Sequence, residues 1–217
     1  MIDLSNRKNC VSYSKGETIY KEGCWPTGIY CLCKGLVKIF KTGINGKEQI
    51  LRFIIPGDIF GLKTFISDQP YSSSSASILE DSHVCFINKC DILSIIKKYP
   101  DIYEDIIVQF CKLLEEVETN LLSLAQKCGK KRLAEALLSI HNAYNNNCTS
   151  CDILISREDL ANIVGTSCET IIRLLSKFKE EKLIKIKGRR ITLIDIDGLV
   201  QKAEIEKKRS ILLVKMQ

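Results

Sequence analysis

Residues 155–194 read ISREDLANIVGTSCETIIRLLSKFKEEKLIKIKGRRITLI. Ser156 with Asp159 three residues on has the form of a capping box, Asp standing where Glu or Gln is usual, and predicts a helix over REDLANIV. Gly165 ends that helix, and Thr166 or Ser167 caps a second one, CETIIRLLSKFKEEK. Two helices joined by a tight Gly-containing turn make a helix-turn-helix. LIKIKGRRITLI then alternates around a Gly turn, as a β-hairpin wing would.

Glu169 and Arg173 lie one turn apart near the start of the second helix. In a helix-turn-helix that end of the helix meets base edges in the major groove. Arg can bond guanine O6 and N7 together, and Glu can accept from cytosine N4, so the pair suits a G·C base pair. An ordinary ion pair at this spacing would add only about 0.2–0.5 kcal/mol to the helix; both uses are compatible. Ser167, Cys168 and Thr170 share the same turn and complete the candidate base-reading set. Ile171, Leu174, Leu175 and Phe178 fill the opposite side, while Arg157, Lys177, Lys187, Arg189 and Arg190 are expected on phosphates, which position without specifying sequence.

The charge distribution agrees. Residues 1–128 hold 15 Lys and Arg against 15 Asp and Glu, whereas residues 129–217 hold 17 against 11, so the net +6 lies wholly in the C-terminal part. That asymmetry points to a polyanion partner for this part alone. No apolar run approaches the roughly 20 residues that span a bilayer, and MIDLSNRKNC lacks a signal-peptide core. A cytoplasmic protein with no membrane partner is expected.

Upstream, Val11–Lys89 reads as short strands punctuated by glycine turns: IYCLCKG, LVKIFKT, EQILRFI and SHVCFIN, with Asn45-Gly46 as a hairpin signal and Gly57-Asp58 as a turn. An all-β sandwich or barrel follows. From Asp91 helices take over: CDILSIIKK, closed by Tyr99-Pro100, then a long segment with apolar residues at Ile107, Phe110, Leu114, Val117, Leu121, Leu124 and Cys128. The alternating three- and four-residue steps form a narrow heptad seam, expected to pair with a second copy in a parallel coiled coil. Gly129 marks a boundary, followed by a helix near 130–145 and the polar loop NNNCTSC. The fold class is therefore α+β. Domains are expected at 1–98, 99–128 as the dimerisation helix, and 129–217, with a short amphipathic helix after Gly198.

These stretches, over roughly residues 11–198 and in the same order, resemble the Crp/Fnr transcription regulators. The resemblance rests on Glu169-Thr170 with Arg173, on KGETIYKEG, IYCLCKGLVKIF and NGKEQILRFIIPGDIFGL, and on YPDIYEDII. It implies a homodimer with a jelly-roll, cyclic-nucleotide-binding-like sensor domain and a winged helix-turn-helix, binding a palindrome of double-stranded DNA. Glu169 and Arg173 would read the G·C pair of a TGA core. It also puts the hairpin KTGINGKEQ and the loop HNAYNNNCTSC where activators of this family touch RNA polymerase.

The effector is narrowed by departures from the family. Cyclic AMP-binding members carry a Glu and, about ten residues later, an Arg, where this chain has Leu62 and Ser72/Ser73. A phosphate buried without a cation is costly, so cyclic AMP is not expected. Cys168 replaces the Arg that gives the cyclic AMP type a second guanine contact. ASILEDSHVCFI is closer to the oxygen-sensing Fnr branch, and Cys85 falls on its internal cluster ligand. That branch takes its other ligands from an extension before the first strand, and with the first strand expected from about Val11 no such extension is expected here. Of the eleven cysteines, Cys10, Cys24, Cys31, Cys33 and Cys85 are the candidate metal ligands for an iron–sulfur cluster, Cys31 and Cys33 sharing a face if the strand is regular. His83 and His141 are the only histidines, and haem would need one of them or a cysteine. Redox, oxygen or nitric oxide are thus the signals considered.

Two other function classes fit less well. A thiol oxidoreductase would use Cys148-x-x-Cys151, but that pair follows NNN and precedes a strand instead of starting a helix in a βαβ unit. A β-roll module docking a partner protein would leave the basic C-terminal part and the Glu–Arg spacing without a use.

Overall fold

A computed structural model describes residues 9–25, 27–66, 70–145 and 152–204. The chain divides between Glu118 and Thr119 into two compact units. In the first, β1 (Asn9–Tyr13), β2 (Thr18–Tyr20), β3 (Gly28–Thr42), β4 (Glu48–Ile54), β5 (Ile59–Phe60), the short α1 (Leu62–Ile66) and β6 (Ser75–Asn88) precede α2 (Lys89–Lys98) and α3 (Ile102–Gln126). The sheet runs β1-β6-β3-β4, with β2 also on β6 and β5 also on β3. Its core is Leu32, Val37, Ile39, Ile54, Phe60, Ala76, Ile78 and Val84.

IYCLCKG and LVKIFKT, expected as two strands, are one. Gly35 does not turn the chain back: its φ of +99° bends β3 while the strand continues. A Cβ there would overlap Ser82 Oγ and approach the Asp81 carbonyl oxygen to 2.7 Å, so the close pass of the two backbones requires glycine. SHVCFIN is likewise the end of a strand that begins at Ser75. The Asn45-Gly46 hairpin forms as expected, joining β3 to β4, with Gly46 at φ +72° and its N–H donating to the Gly43 carbonyl. The Gly57-Asp58 turn also forms, closed by the Ile55 N–H on Asp58 Oδ2 at 3.0 Å.

Asn88 caps α2 by accepting from the Asp91 N–H at 2.9 Å. Ile92 and Ile96, four residues apart, bury one face of the helix with Ile29, and Leu62, Ile87, Ile102 and Ile106 pack around them. This cluster fastens α2 and the first turns of α3 to the sheet. Beyond it α3 has no buried residue.

The second unit holds the end of α3, then α4 (Gly129–Asn145), β7 (Asp152–Leu154), α5 (Arg157–Val164), α6 (Cys168–Glu180), β8 (Ile184–Lys187), β9 (Arg190–Leu193) and α7 (Ile196–Ala203). β7, β9 and β8 form a small antiparallel sheet in that order. Arg132 ties the start of α4 to its surroundings: Nε donates to the Val164 carbonyl at 2.8 Å and Nη1 to the Lys127 carbonyl at 2.6 Å. Cys128 is not the last residue of the long helix as the heptad suggested. It sits in the break before α4, its carbonyl accepting from the Arg132 N–H. The thiol is held below its usual range chiefly by the Lys131 backbone N–H at the helix start. The expected tail helix starts earlier than Gly198, capped by Asp195, whose Oδ1 accepts from the Gly198 N–H. Residues 205–217 and the Cys148-x-x-Cys151 loop lie outside the described residues.

The close pass at Gly35 gives a direct test. Gly35→Ala should lower folding stability by about 1–3 kcal/mol or more, from left-handed strain and the clash together. Gly46→Ala, in open space, should cost about 1 kcal/mol. Urea unfolding of the two variants measures the difference.

Candidate nucleic-acid interface

α5 begins as the capping box required, with a local variation. Ser156 Oγ accepts from the Asp159 N–H at 2.9 Å and donates to Asp159 Oδ2 at 2.6 Å, so Asp159 reaches the hydroxyl of the cap. Gly165 closes α5 in the left-handed region (φ 68°, ψ 48°), its N–H on the Ala161 carbonyl. The extended Ser167 then caps α6, accepting from the Thr170 N–H at 3.2 Å. Ser167 Oγ also lies 3.1 Å from Thr170 Oγ1. Both hydroxyls expected among the base readers are therefore engaged in shaping the helix start.

α6 separates its residues cleanly. Ile171, Leu174, Leu175 and Phe178 are buried, at the i, i+3, i+4, i+7 spacing of one face. Glu169, Arg173, Ser176 and Lys177 are exposed on the other. Ile172 joins them, 51% exposed between Glu169 and Ser176. It was missed in the sequence because an isoleucine in a helix reads as core; its displacement from the buried stripe was the available signal.

The cations differ in their commitments. Lys177, Lys187, Arg189 and Arg190 are exposed. Arg190 Nη1 pairs with Asp152 Oδ2 at 3.1 Å across the β7–β9 ladder. Arg157, expected on a phosphate, is half-buried: Nη2 donates to the Gly188 carbonyl in the turn between β8 and β9 at 3.0 Å, and Nη1 is buried without a hydrogen-bond partner. Burial lowers its pKa, although an arginine stays charged at any physiological pH. In this arrangement Arg157 anchors the wing turn to the first turn of α5.

The sensor candidates are also placed. Leu62, standing where cyclic AMP binders carry a Glu, packs against the Ile29, Ile92 and Ile96 cluster, and Ser72 is buried. Cys10 and Cys85, directly opposite in the β1–β6 register, are joined in a disulfide. Cys33 Sγ lies 3.3 Å from Cys85 Sγ. Cys31 faces Cys85 in the β3–β6 register, and Cys24 is exposed. Among the described residues no group of three or more His, Cys, Asp or Glu is arranged to hold a metal ion. A four-thiolate iron–sulfur cluster does not fit a candidate set in which Cys10 and Cys85 are bonded to each other and only Cys24, Cys31 and Cys33 remain as thiols. For haem, His83 Nδ1 is hydrogen-bonded to Ser12 Oγ at 2.9 Å, and His141 is buried in α4, where desolvation lowers its pKa. No helix among the described residues is long and apolar enough to cross a membrane.

Residues 10–99 match the family model described as a cyclic nucleotide-binding domain, and residues 131–202 match the one described as a Crp-like helix-turn-helix domain. The transcriptional regulatory protein btr of Bordetella pertussis is 32% identical over 201 residues, covering 89% of this chain and 81% of that protein. The fumarate and nitrate reduction regulatory protein of Vibrio cholerae is 27% identical, covering 89% and 78%. Among solved structures, FixK2 of Bradyrhizobium japonicum has the same fold, with a TM-score of 0.78 at 24% identity over 90% of this chain and 96% of that one.

The Arg157 anchor predicts a local effect. Arg157→Ala should loosen the wing by about 1.5–3 kcal/mol, the range for hydrogen bonds to a charged group. Backbone amides of residues 186–191 should exchange correspondingly faster in hydrogen-exchange mass spectrometry, with the amides of α6 protected as before.

Proposed function

Since the chain belongs to the Crp/Fnr family of transcription regulators, with a helix-turn-helix DNA-binding domain, we propose that it binds as a homodimer to a palindromic site with a TGA-like core. The observation that carries this is the two-sided α6, which buries four apolar residues and leaves Glu169 and Arg173 exposed one turn apart beside its N-terminus. Arg173 reads guanine and Glu169 the paired cytosine. Ile172, between them, suits the methyl group of a neighbouring thymine. Cys168 lies in the first turn, where it adds a small contact and no charge. Lys177, Lys187, Arg189 and Arg190 meet phosphates, Arg190 exchanging Asp152 for one, while Arg157 holds the wing that carries Arg189.

The dimer forms along α3. Ile107, Leu114, Val117, Leu121 and Leu124 are each at least 42% exposed in the single chain, and Phe110 is half-buried. An apolar seam of this kind is covered by a second copy of the same helix. Residues 1–98 serve as sensor, 99–128 as the dimerisation segment, with Cys128 in the break after α3, and 129–217 as the DNA-binding domain. The signal is not a cyclic nucleotide, because Leu62 is used in packing and Ser72 offers no charge, which leaves redox, oxygen or nitric oxide as the signal. The hairpin around Asn45 is available for RNA polymerase.

Fluorescence anisotropy on a TGA-containing inverted repeat tests the reading. Arg173→Ala should weaken specific binding by about 1–3 kcal/mol and relax preference at the G·C position, while Lys187→Ala should lower the salt slope by about one. Equal binding of wild type and Arg173→Ala to the repeat would overturn it. Leu114→Glu with Leu121→Glu should give a monomer by sedimentation, with operator binding lost at concentrations where wild type is saturated.

A further inference from the structure

One of the irregularities of the β3–β6 ladder lies where Cys10, Cys33 and Cys85 meet, with Cys31 also opposite Cys85 in the register. Leu32 pairs with Val84 and Lys34 with His83, so Cys33 is an extra residue on β3 with no partner on β6. A bulge of this kind re-aims the side chain it carries. Here it brings Cys33 Sγ to 3.3 Å from Cys85 Sγ, while Cys85 is bonded to Cys10 on the other side. Leu32 and Val84 point into the core, so the sulfurs lie on the opposite face of the sheet. Cys85 is 5% exposed, which shields its sulfur from thiols in solution, whereas Cys33 and Cys10 are exposed.

We propose that Cys10, Cys33 and Cys85 form a thiol–disulfide exchange site in which Cys33 takes Cys85 from Cys10. The Cys33 thiolate attacks Cys85 Sγ; the Cys33–Cys85 bond forms as the Cys85–Cys10 bond breaks, and the electron pair leaves on Cys10 Sγ, which takes up the proton that Cys33 released. No oxidant or reductant is consumed, because one disulfide and one thiol are present before and after. The consequence is structural. β1 is an edge strand whose residues are mostly exposed, and the Cys10–Cys85 bond ties it to β6 across a sequence separation of 75 residues. After exchange β1 has no covalent tie to β6 and is held by its ladder, the Ser12–His83 hydrogen bond and the packing of Tyr13, and the new bond joins two strands that are already extensively paired. A small monothiol or dithiol can then attack the exposed Cys33 sulfur, forming a mixed disulfide with it and releasing Cys85 as the thiolate.

Disulfides that form in a reducing compartment are typically transient, catalytic or redox-sensing. The exchange chemistry stands on the sulfur geometry; its use as the signal of the sensor unit rests on the regulatory function proposed above. The site is distinct from a metal centre, since it works through the bond between two of the candidate ligands.

Full-length wild-type protein, purified without reductant and held at pH 8 without oxygen, is quenched in acid, alkylated with N-ethylmaleimide and mapped by peptide mass spectrometry. Both Cys10–Cys85 and Cys33–Cys85 bridges are expected, reaching a constant ratio, with Cys10 alkylated wherever Cys33 is bridged. Cys10→Ser treated with diamide should convert to the Cys33–Cys85 bridge. Complete alkylation of Cys33 in wild type, or no bridge to Cys85 at all, overturns the proposal. The wild-type arm decides even if Cys10→Ser does not fold. Because the readout is which sulfurs are bonded, failure here leaves operator binding by the same sample intact, and loss of operator binding leaves the exchange result standing.

Discussion

The three residues from Gly165 to Ser167 constrain everything the DNA-binding unit does. Gly165 in the left-handed region ends α5 in one residue, and extended Ser167 starts α6 two residues later with its own hydroxyl as cap. So short a corner leaves the two helices little freedom of direction. Given that direction, the apolar stripe of Ile171, Leu174, Leu175 and Phe178 sets the rotation of α6 about its axis, because only one rotation buries all four. Glu169 and Arg173 then face outward as a result of packing on the far side of the helix. The exposed face of α6 is thus determined by residues buried on its other side.

An analogous compensation organises the sheet. Cys33 adds a residue to β3, and just beyond it Gly35 lets β6 carry the extra residue, where Ser82 and Asp81 crowd against the glycine. From Leu32–Val84 to Leu36–Glu80 both strands advance four residues, so these two offsets cancel before a third shift between Leu36 and Val37. Leu32 and Leu36, at the two ends of this compensated stretch, both remain buried. The ladder can therefore accommodate an exposed cysteine at a bulge without loss of its core.

This explains what the sequence disclosed and what it withheld. Caps, turns and amphipathic periods act over three to seven residues, and accordingly Ser156, Gly165, Ser167, the Asn45-Gly46 hairpin and the stripe of α6 were legible from local pattern. The continuity of β3 through Gly35 was not. A glycine between two β-type runs suggests a turn unless the opposing strand is known, and Ser82 is 47 positions away. The Cys10–Cys85–Cys33 grouping depends on register between three strands, which no local pattern encodes. Arg157 was assigned to phosphate from its charge and position; its bond to the Gly188 carbonyl joins two elements whose proximity is tertiary. Ile172 was hidden by the expectation that isoleucine is core.

α3 is the element that the single chain leaves unexplained by itself. Its first turns pack on Ile29, Ile92 and Ile96, and around its end Ser123 Oγ donates to Glu135 while the Leu124 and Lys127 carbonyls accept from Arg132. Between these attachments lie Leu114, Val117 and Leu121, each at least 59% exposed. Helices in water owe most of their stability to burial of an apolar face, not to propensity. Full burial of a Leu or Val side chain is worth roughly 1.5–3 kcal/mol, and several sit in register on one strip. That strip follows a 3.5-residue spacing, narrower than a helix lying on its own domain would need, and matched to an identical helix beside it. Pairing along α3, as proposed for the dimer, would thus stabilise a helix whose first turns belong to one compact unit and whose end belongs to the other.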